Sequence, residues 1–324
     1  MTKMDARLAQ KRDRLRAVLG NWPSLLVAYS GGVDSSLLVK IAHGVLGGNL
    51  LAVTVASPLQ PRREGEAATA LAAAMGVRHR QVAGDVLDLP DFRANPRDRC
   101  YVCKHRIFGD LQRLAARMGI AAVAHGANLD DLSETRPGNR AAAELGVVAP
   151  LIAAGLNKAD VRALAKAEGL SNWNAPALAC LASRIPYGVP IRPEILVMID
   201  RAEEVLCRLG FDDCRVRYHG SVARIELPGK DVPRFLEKGL RREALNLIRE
   251  VGFDFVALDL GGYVAGSLDR GLPPPKRGLR EGQGGGRPAG HAFQFPGASH
   301  RHPSGGIAGA GGRGSLGSLC DRVG

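Results

Sequence analysis

Apolar residues fall in short runs separated by longer amphipathic stretches. Residues 25–29 (LLVAY), 50–55 and 121–125 are largely apolar runs of strand length, and 77–82 reads as a further strand. Residues 2–20, 35–45, 62–75, 105–118 and 158–168 repeat their apolar positions at a helical period. Strands alternating with helices of this length predict an α/β fold with a parallel sheet covered on both faces. The rhythm changes after about residue 190. A helix at 194–209, close strands at 214–218 and 222–227, helices at 232–238 and 241–251 and a strand at 255–260 predict a smaller α+β domain. The expected division is 1–185, 186–270 and a tail at 271–324, with no internal repeat.

Composition changes the picture mainly at the C-terminus. Residues 271–324 are rich in Gly, Pro and Arg and poor in bulky apolar side chains, a make-up that cannot repay the entropy of ordering, so this tail is expected to be disordered. It holds seven Lys/Arg against two Asp/Glu, a net of +5, leaving +7 of the formal +12 for the rest. A surplus of that size suits phosphate-rich small molecules as well as RNA, and no repeated Arg-Gly-Gly unit argues for RNA. No apolar run approaches membrane-spanning length, and the charged N-terminus has no signal-peptide core. A cytoplasmic protein is expected, with its cysteines reduced.

The strongest chemical signal is Ser30-Gly31-Gly32-Val33-Asp34-Ser35, between a strand and a helix. Backbone N–H groups of such a turn converge on one point, and the helix dipole adds positive character there. Gly31 and Gly32 allow close approach of a phosphate, Ser30 and Ser35 can donate hydroxyl hydrogens, and Asp34 can hold Mg²⁺ or orient the loop. The spacing is neither Gly-x-x-x-x-Gly-Lys-Ser/Thr nor Gly-x-Gly-x-x-Gly. It resembles the PP-loop of enzymes that split ATP between its α and β phosphates. That resemblance implies a cradle for pyrophosphate and places the strand around Thr54 against adenine, although a core strand explains Thr54 equally well.

Among six cysteines, Cys100 and Cys103 form a Cys-x-x-Cys pair just before a predicted helix, and Cys180 sits in a turn-rich loop. The pair alone fits a redox dithiol, half a zinc site completed by His105 or His125, or iron–sulfur ligands. Three thiolates can hold a four-iron cluster and leave one iron open to an outside ligand such as sulfide. Cys207 and Cys214 read as buried small hydrophobes. Cys320 lies in the tail and is assigned nothing.

Several blocks in one order carry a more specific resemblance: SGGVDS, HGANLDDLSETRPGNRA, PLIAAGLNKADVRALAKAEGL, ACLASRIPYGVPI and RVRYHGSVARIE. Together, from about residue 20 to 269, they resemble the LarE family of PP-loop sulfur transferases, which help build the nickel-pincer nucleotide of lactate racemase. The resemblance implies a pyridinium mononucleotide bearing two carboxylates as substrate. ATP adenylates a carboxylate, sulfur displaces AMP, and two rounds give the bis-thio acid. In some members a lone cysteine donates its sulfur and ends as dehydroalanine; Cys180 matches it. The additional Cys100 and Cys103 resemble the three-cysteine members, so a 4Fe-4S cluster on Cys100, Cys103 and Cys180, fed by a sulfide donor, is preferred over the sacrificial route.

By the same resemblance Ser183 and Arg184 grip a phosphate, Arg215 and Arg217 share a strand face toward the substrate with Glu226 on the neighbouring strand, and Glu203 contributes there. The plainer alternatives are a solvated strand face with one cross-strand ion pair, and a surface helical glutamate. Asn128, with Asp130 and Asp131, forms a polar loop after a strand, where α/β sheets place ligands; a helix N-cap is the alternative. A tRNA thiolase, an amide-forming ligase and a non-catalytic nucleotide- or RNA-binding protein stand as rivals. The expected partners are ATP, Mg²⁺, a small nucleotide and further copies of the chain, with nucleic acid and membrane disfavoured.

Overall fold

The computed structural model describes residues 5–133, 137–177 and 179–264. The tail from residue 271, Cys320 and part of the HGANLDDLSETRPGNRA block lie outside them. The first part of the chain runs α1 (Ala6–Leu19), β1 (Leu25–Ala28), α2 (Val33–Leu46), β2 (Leu50–Ala56), α3 (Arg62–Ala74), β3 (His79–Ala83), α4 (Pro90–Arg93), α5 (Arg99–Arg117) and β4 (Ala122–His125). Then come short helices α6 (Asp130–Ser133), α7 (Pro137–Glu144) and α8 (Pro150–Ala153), and the longer α9 (Lys158–Ala167). The remainder is α10 (Pro193–Arg208), β5 (Arg215–His219), β6 (Val222–Glu226), α11 (Val232–Phe235), α12 (Lys238–Val251) and β7 (Phe255–Leu258).

Four strands form a parallel sheet in the order β3-β2-β1-β4. Leu25 of β1 is in register with Leu50 on one side and Ala122 on the other. Alternate residues of a strand face opposite sides. Leu25 and Val27 accordingly enter a core with Leu37, Ile41 and Leu164, while Leu26 enters another with Phe108, Leu111 and Leu114. Both faces being dry explains why β1 and, apart from Thr54, β2 are apolar rather than alternating.

A second sheet has the order β5-β6-β7, antiparallel between β5 and β6 and parallel between β6 and β7. Its core joins Phe211, Val216, Ile225, Phe235, Ile248 and Phe253 with the inner face of α10. No helix among the described residues is long and apolar enough to cross a membrane.

One boundary corrects the sequence reading in a way that bears on chemistry. α5 begins at Arg99, not near residue 105, so Cys100 and Cys103 lie inside its first turns rather than before it. The local signal is weak because Asp98, at the N-cap, makes no side-chain cap bond. Tertiary contacts supply what the cap does not. Asn95, at φ 56°, donates from Nδ2 to the carbonyls of Pro186 and Val189 at 2.8 Å each and accepts from Gly188 N–H at 3.0 Å. The start of α5 is thereby tied to the segment that follows Cys180.

Candidate active site

In the order β3-β2-β1-β4 the connections leave β1 in opposite directions, so the crevice at the carboxyl ends of β1 and β4 is where an open α/β sheet receives ligands. The loop after β1 is Ser30-Gly31-Gly32. Gly31 has φ +79°, and a Cβ there would lie 2.6 Å from the Ala68 Cβ on α3, so only glycine fits both the conformation and the space. Gly32 is the N-cap of α2 and no side chain caps that helix, which keeps first-turn N–H groups directed at the crevice. The Ser30 and Ser35 hydroxyls meet at 3.1 Å, Gly32 N–H donates to Ser30 Oγ at 3.3 Å, and Ser35 Oγ donates to the Gly32 carbonyl at 3.1 Å. Val33, the first residue of α2, is buried and anchors the turn.

Side chains from distant segments complete the loop. Asp34 accepts from Asn128 Nδ2 at 3.1 Å and pairs with Lys158 Nζ at 2.5 Å. Asn172 Nδ2 donates to the Gly31 carbonyl at 2.8 Å and to Ser36 Oγ at 3.0 Å. Gly126, just past β4, packs so tightly that a Cβ would stand 2.9 Å from Ser35 N. Lys158, Asn172 and Gly126 escaped the sequence reading. Lys158 opens α9 behind the Asn157–Asp160 capping box, a visible helix start, but nothing local says where its amine goes.

Asp130 and Asp131 belong to helix α6 rather than to a loop. Asn128 caps that turn: its Oδ1 accepts from Asp130 N–H at 3.0 Å, while Asp131 Oδ2 accepts from Asn128 N–H at 2.9 Å. Thr54 is buried, with its hydroxyl donating to the Tyr29 carbonyl at 2.8 Å and meeting His79 Nε2 at 2.9 Å.

The other residues named from the sequence gather around Cys180. Cys180 is exposed and stands immediately before a single 3-10 turn, Leu181–Arg184. Leu181 N–H donates to the Leu59 carbonyl at 2.7 Å, docking this turn on the β2–α3 connection. Arg184 is 1 % exposed and makes a two-pronged pair with Glu203, at 2.9 Å from Nε to Oε1 and 2.9 Å from Nη2 to Oε2. Its Nη1 donates to the carbonyls of Ala179 at 2.6 Å and Cys180 at 3.0 Å and to Ser183 Oγ at 3.0 Å. Glu203 also accepts from Val216 N–H at 3.0 Å.

Arg217 pairs with Glu226 at 2.7 Å and donates to the Ser183 carbonyl at 2.7 Å. Arg215 donates to the carbonyls of Cys214 at 2.6 Å and Ala177 at 3.3 Å. The plainer sequence alternatives are corrected in burial and kept in pairing. Glu203 is no surface glutamate, and the face carrying Arg215 and Arg217 is buried rather than solvated. The cross-strand ion pair is present as Arg217–Glu226. Within the chain these guanidiniums hold the Cys180 turn by its backbone carbonyls. Glu64, in the first turn of α3, joins the same charge cluster; burial raises its pKa, and Arg184, Arg63 and Arg215 oppose the rise. Nothing local in the sequence pointed to it.

Cys100 and Cys103 lie three residues apart on α5, one helical turn, and therefore on one face. Burial raises the Cys100 thiol, the Cys180 charge adds to the rise, and burial pushes Cys103 up to about 12. Cys180 acts on both, which places the three thiols within electrostatic reach of one another. Among the described residues, however, no three His, Cys, Asp or Glu side chains are drawn together as a metal-ligand set. His125, packed edge-on against Phe108 with ring centroids 5.4 Å apart, is held neutral by burial down to about 4.

Comparison with known proteins adds to this geometry. The asparagine synthase family model matches residues 24–101, from β1 into the first turn of α5. A pyridinium-3,5-bisthiocarboxylic acid mononucleotide synthase of Lactiplantibacillus plantarum is 37% identical over 266 residues, covering 82% of this chain and 95% of its own. An uncharacterised protein of Synechocystis sp. is 42% identical over 82% of this chain and 99% of its own. An uncharacterised protein of Methanocaldococcus jannaschii is 26% identical over 79% of this chain.

Proposed function

This chain belongs to the family of the pyridinium-3,5-bisthiocarboxylic acid mononucleotide synthase, and on that premise we propose that it is an ATP-dependent sulfurtransferase acting on a pyridinium mononucleotide with two carboxylates. The observation that carries the reading is the Ser30–Ser35 loop, an uncapped helix start with two close-packed glycines at the crevice of a parallel sheet. A substrate carboxylate oxygen attacks the α-phosphorus of ATP. The bond to the bridging oxygen breaks, and pyrophosphate leaves into the donors of the loop, which oppose the charge building on it. Asp34, held by Asn128 and Lys158, would take the Mg²⁺ that accompanies ATP. Sulfur then attacks the acyl carbon, the carbon–oxygen bond to AMP breaks, and a thiocarboxylate remains.

Cys180 is the thiol best placed to deliver that sulfur, because it is exposed on a turn whose carbonyls are fixed by Arg184 and Arg217. Attack by its sulfur forms a thioester. Loss of the Cα proton with cleavage of the Cβ–S bond then releases the thiocarboxylate and leaves dehydroalanine. The two-domain division near residue 185 would put ATP chemistry on the first sheet and the sulfur-bearing turn at the junction. A cytoplasmic setting suits the reduced thiols this chemistry requires.

A second reading of the sulfur source is favoured by the raised thiols of Cys100 and Cys103 beside Cys180. Such groups lose their protons only against a compensating cation, and an iron–sulfur cluster on the three thiols would supply it and carry an external sulfide. The reaction is tested by incubating the protein with ATP, Mg²⁺ and the dicarboxylate nucleotide, and measuring pyrophosphate, AMP and product mass. Thiocarboxylate product is expected; a folded protein that releases no pyrophosphate would overturn the assignment. Protein mass and iron content separate the sources. A loss of about 34 Da at Cys180, the mass of hydrogen sulfide, marks the sacrificial route. Roughly four irons per chain with unchanged protein mass mark the cluster.

A further inference from the structure

The remaining two described cysteines differ from each other in ways the sequence did not show. Cys207 lies on the last turn of α10 and Cys214 immediately precedes β5. The chain turns back between them at Gly210, φ +85°, and Phe211, which brings the Cys214 sulfur to 3.9 Å from the Glu203 carbonyl, against the turn of α10 that carries Cys207. Cys214 is fully buried in the core of the second sheet. Cys207 is only half-buried, with its Sγ 3.7 Å from the Phe211 carbonyl, so it is not the closed core residue expected from sequence. From α3, far away in the chain, Arg63 brings its Nη1 onto the Cys207 sulfur.

A guanidinium on a thiol, with a second thiol packed against the same helical turn, is the arrangement that activates sulfur in exchange chemistry. We propose that Cys207 and Cys214 form a reactive dithiol, with Cys207 as attacking sulfur and Cys214 as resolving sulfur, that reduces low-molecular-weight disulfides. The Cys207 thiolate attacks one sulfur of the disulfide, forms a mixed disulfide and expels one small thiolate. Cys214 then loses its proton and attacks the Cys207 sulfur. The second small thiolate leaves, the proton ends on a small thiol, and the Cys207–Cys214 disulfide holds the two oxidised sulfurs. Access is needed only at Cys207, which has it; the resolving sulfur approaches from inside.

The electrostatics run the same way. The neighbouring Cys214 thiol and the Arg63 charge lower Cys207, against burial and the opposing charge of Asp212. Cys214 is raised by the neighbouring Cys207, by burial and by Glu203, and so keeps its proton until the mixed disulfide forms.

The reduced full-length protein, treated with oxidised glutathione, alkylated and cut with trypsin without reductant, tests this directly. The sequence separates the two thiols into peptides 202–208 and 209–215. These peptides are expected to be recovered joined. In Cys214→Ala, glutathione is expected to remain on Cys207 as a stable mixed disulfide. The alkylation rate of Cys207 should have its midpoint below the ordinary thiol value of about 8.5. In Arg63→Leu that midpoint should move toward the ordinary thiol value of about 8.5, slowing the reaction at neutral pH roughly five- to tenfold. Cys207 left free while Cys100, Cys103 or Cys180 is modified overturns the proposal. So does a wild-type mixed disulfide at Cys207 that never closes on Cys214.

Discussion

The phosphate loop and the Cys180 turn solve opposite problems with opposite materials. The loop is made of glycines, serines bonded to one another and a helix start that no side chain caps. The Cys180 turn is gripped by ionised side chains that are almost wholly buried and already paired, Arg184 with Glu203 and Arg217 with Glu226. A site that binds a charged group needs uncommitted donors, whereas a site that presents one reactive atom needs its backbone immobilised. The two should therefore fail differently, the loop through rate and the turn through stability.

The largest effect is expected at the turn. Arg184→Ala or Glu203→Ala leaves an uncompensated buried charge and should cost about 3–5 kcal/mol in denaturant unfolding. Replacing the pair together, with Arg184→Met and Glu203→Leu, should recover most of that. A single variant of wild-type stability would mean that these residues are not the turn's support.

Next is Asp34→Ala, expected to cut pyrophosphate release on the order of 10²–10³ while shifting stability by less than about 1 kcal/mol. Equal losses of rate and stability would erase the contrast between the two regions. Third, Gly31→Ala meets both a left-handed φ and Ala68, and should destabilise by about 1–3 kcal/mol. Adding Ala68→Gly should restore only the steric part, leaving the conformational part measurable.

The smallest effect is a pH dependence at His125. The folded protein keeps it neutral down to about 4, while the unfolded chain takes up its proton near 6.5. Its contribution to stability is therefore intact above 6.5 and declines as pH falls toward 4. Unfolding measured across that window should show a shallower fall in His125→Phe.

How far the sequence led follows the same division. The two central strands were legible because burial on both faces writes itself as nearly continuous apolar stretches at residues 25–28 and 50–56, broken only at Thr54. The phosphate loop was legible because its function rests on local backbone geometry. The start of α5 was not, since Asn95 ties it to Pro186 and Val189, some ninety residues away. Short helices such as α6 and α8 carry too few residues to show a period. Arg184, Glu203, Arg217 and Glu226 were singled out only through resemblance, and their pairings were invisible because contacts between distant positions leave no local pattern. Lys158 and Glu64 went unnoticed for the same reason.

The tie between Asn172 and Gly31 spans 141 positions, and that between Lys158 and Asp34 spans 124. During synthesis the Ser30–Ser35 segment thus emerges long before the residues that fix it. At ribosomal speeds of about 5–20 residues per second, the wait is on the order of ten seconds. A nascent chain in that interval has the loop sequence without the side chains that hold it in place. Nucleotide capture should begin only after α9 and Asn172 have docked, near the end of the first sheet's assembly.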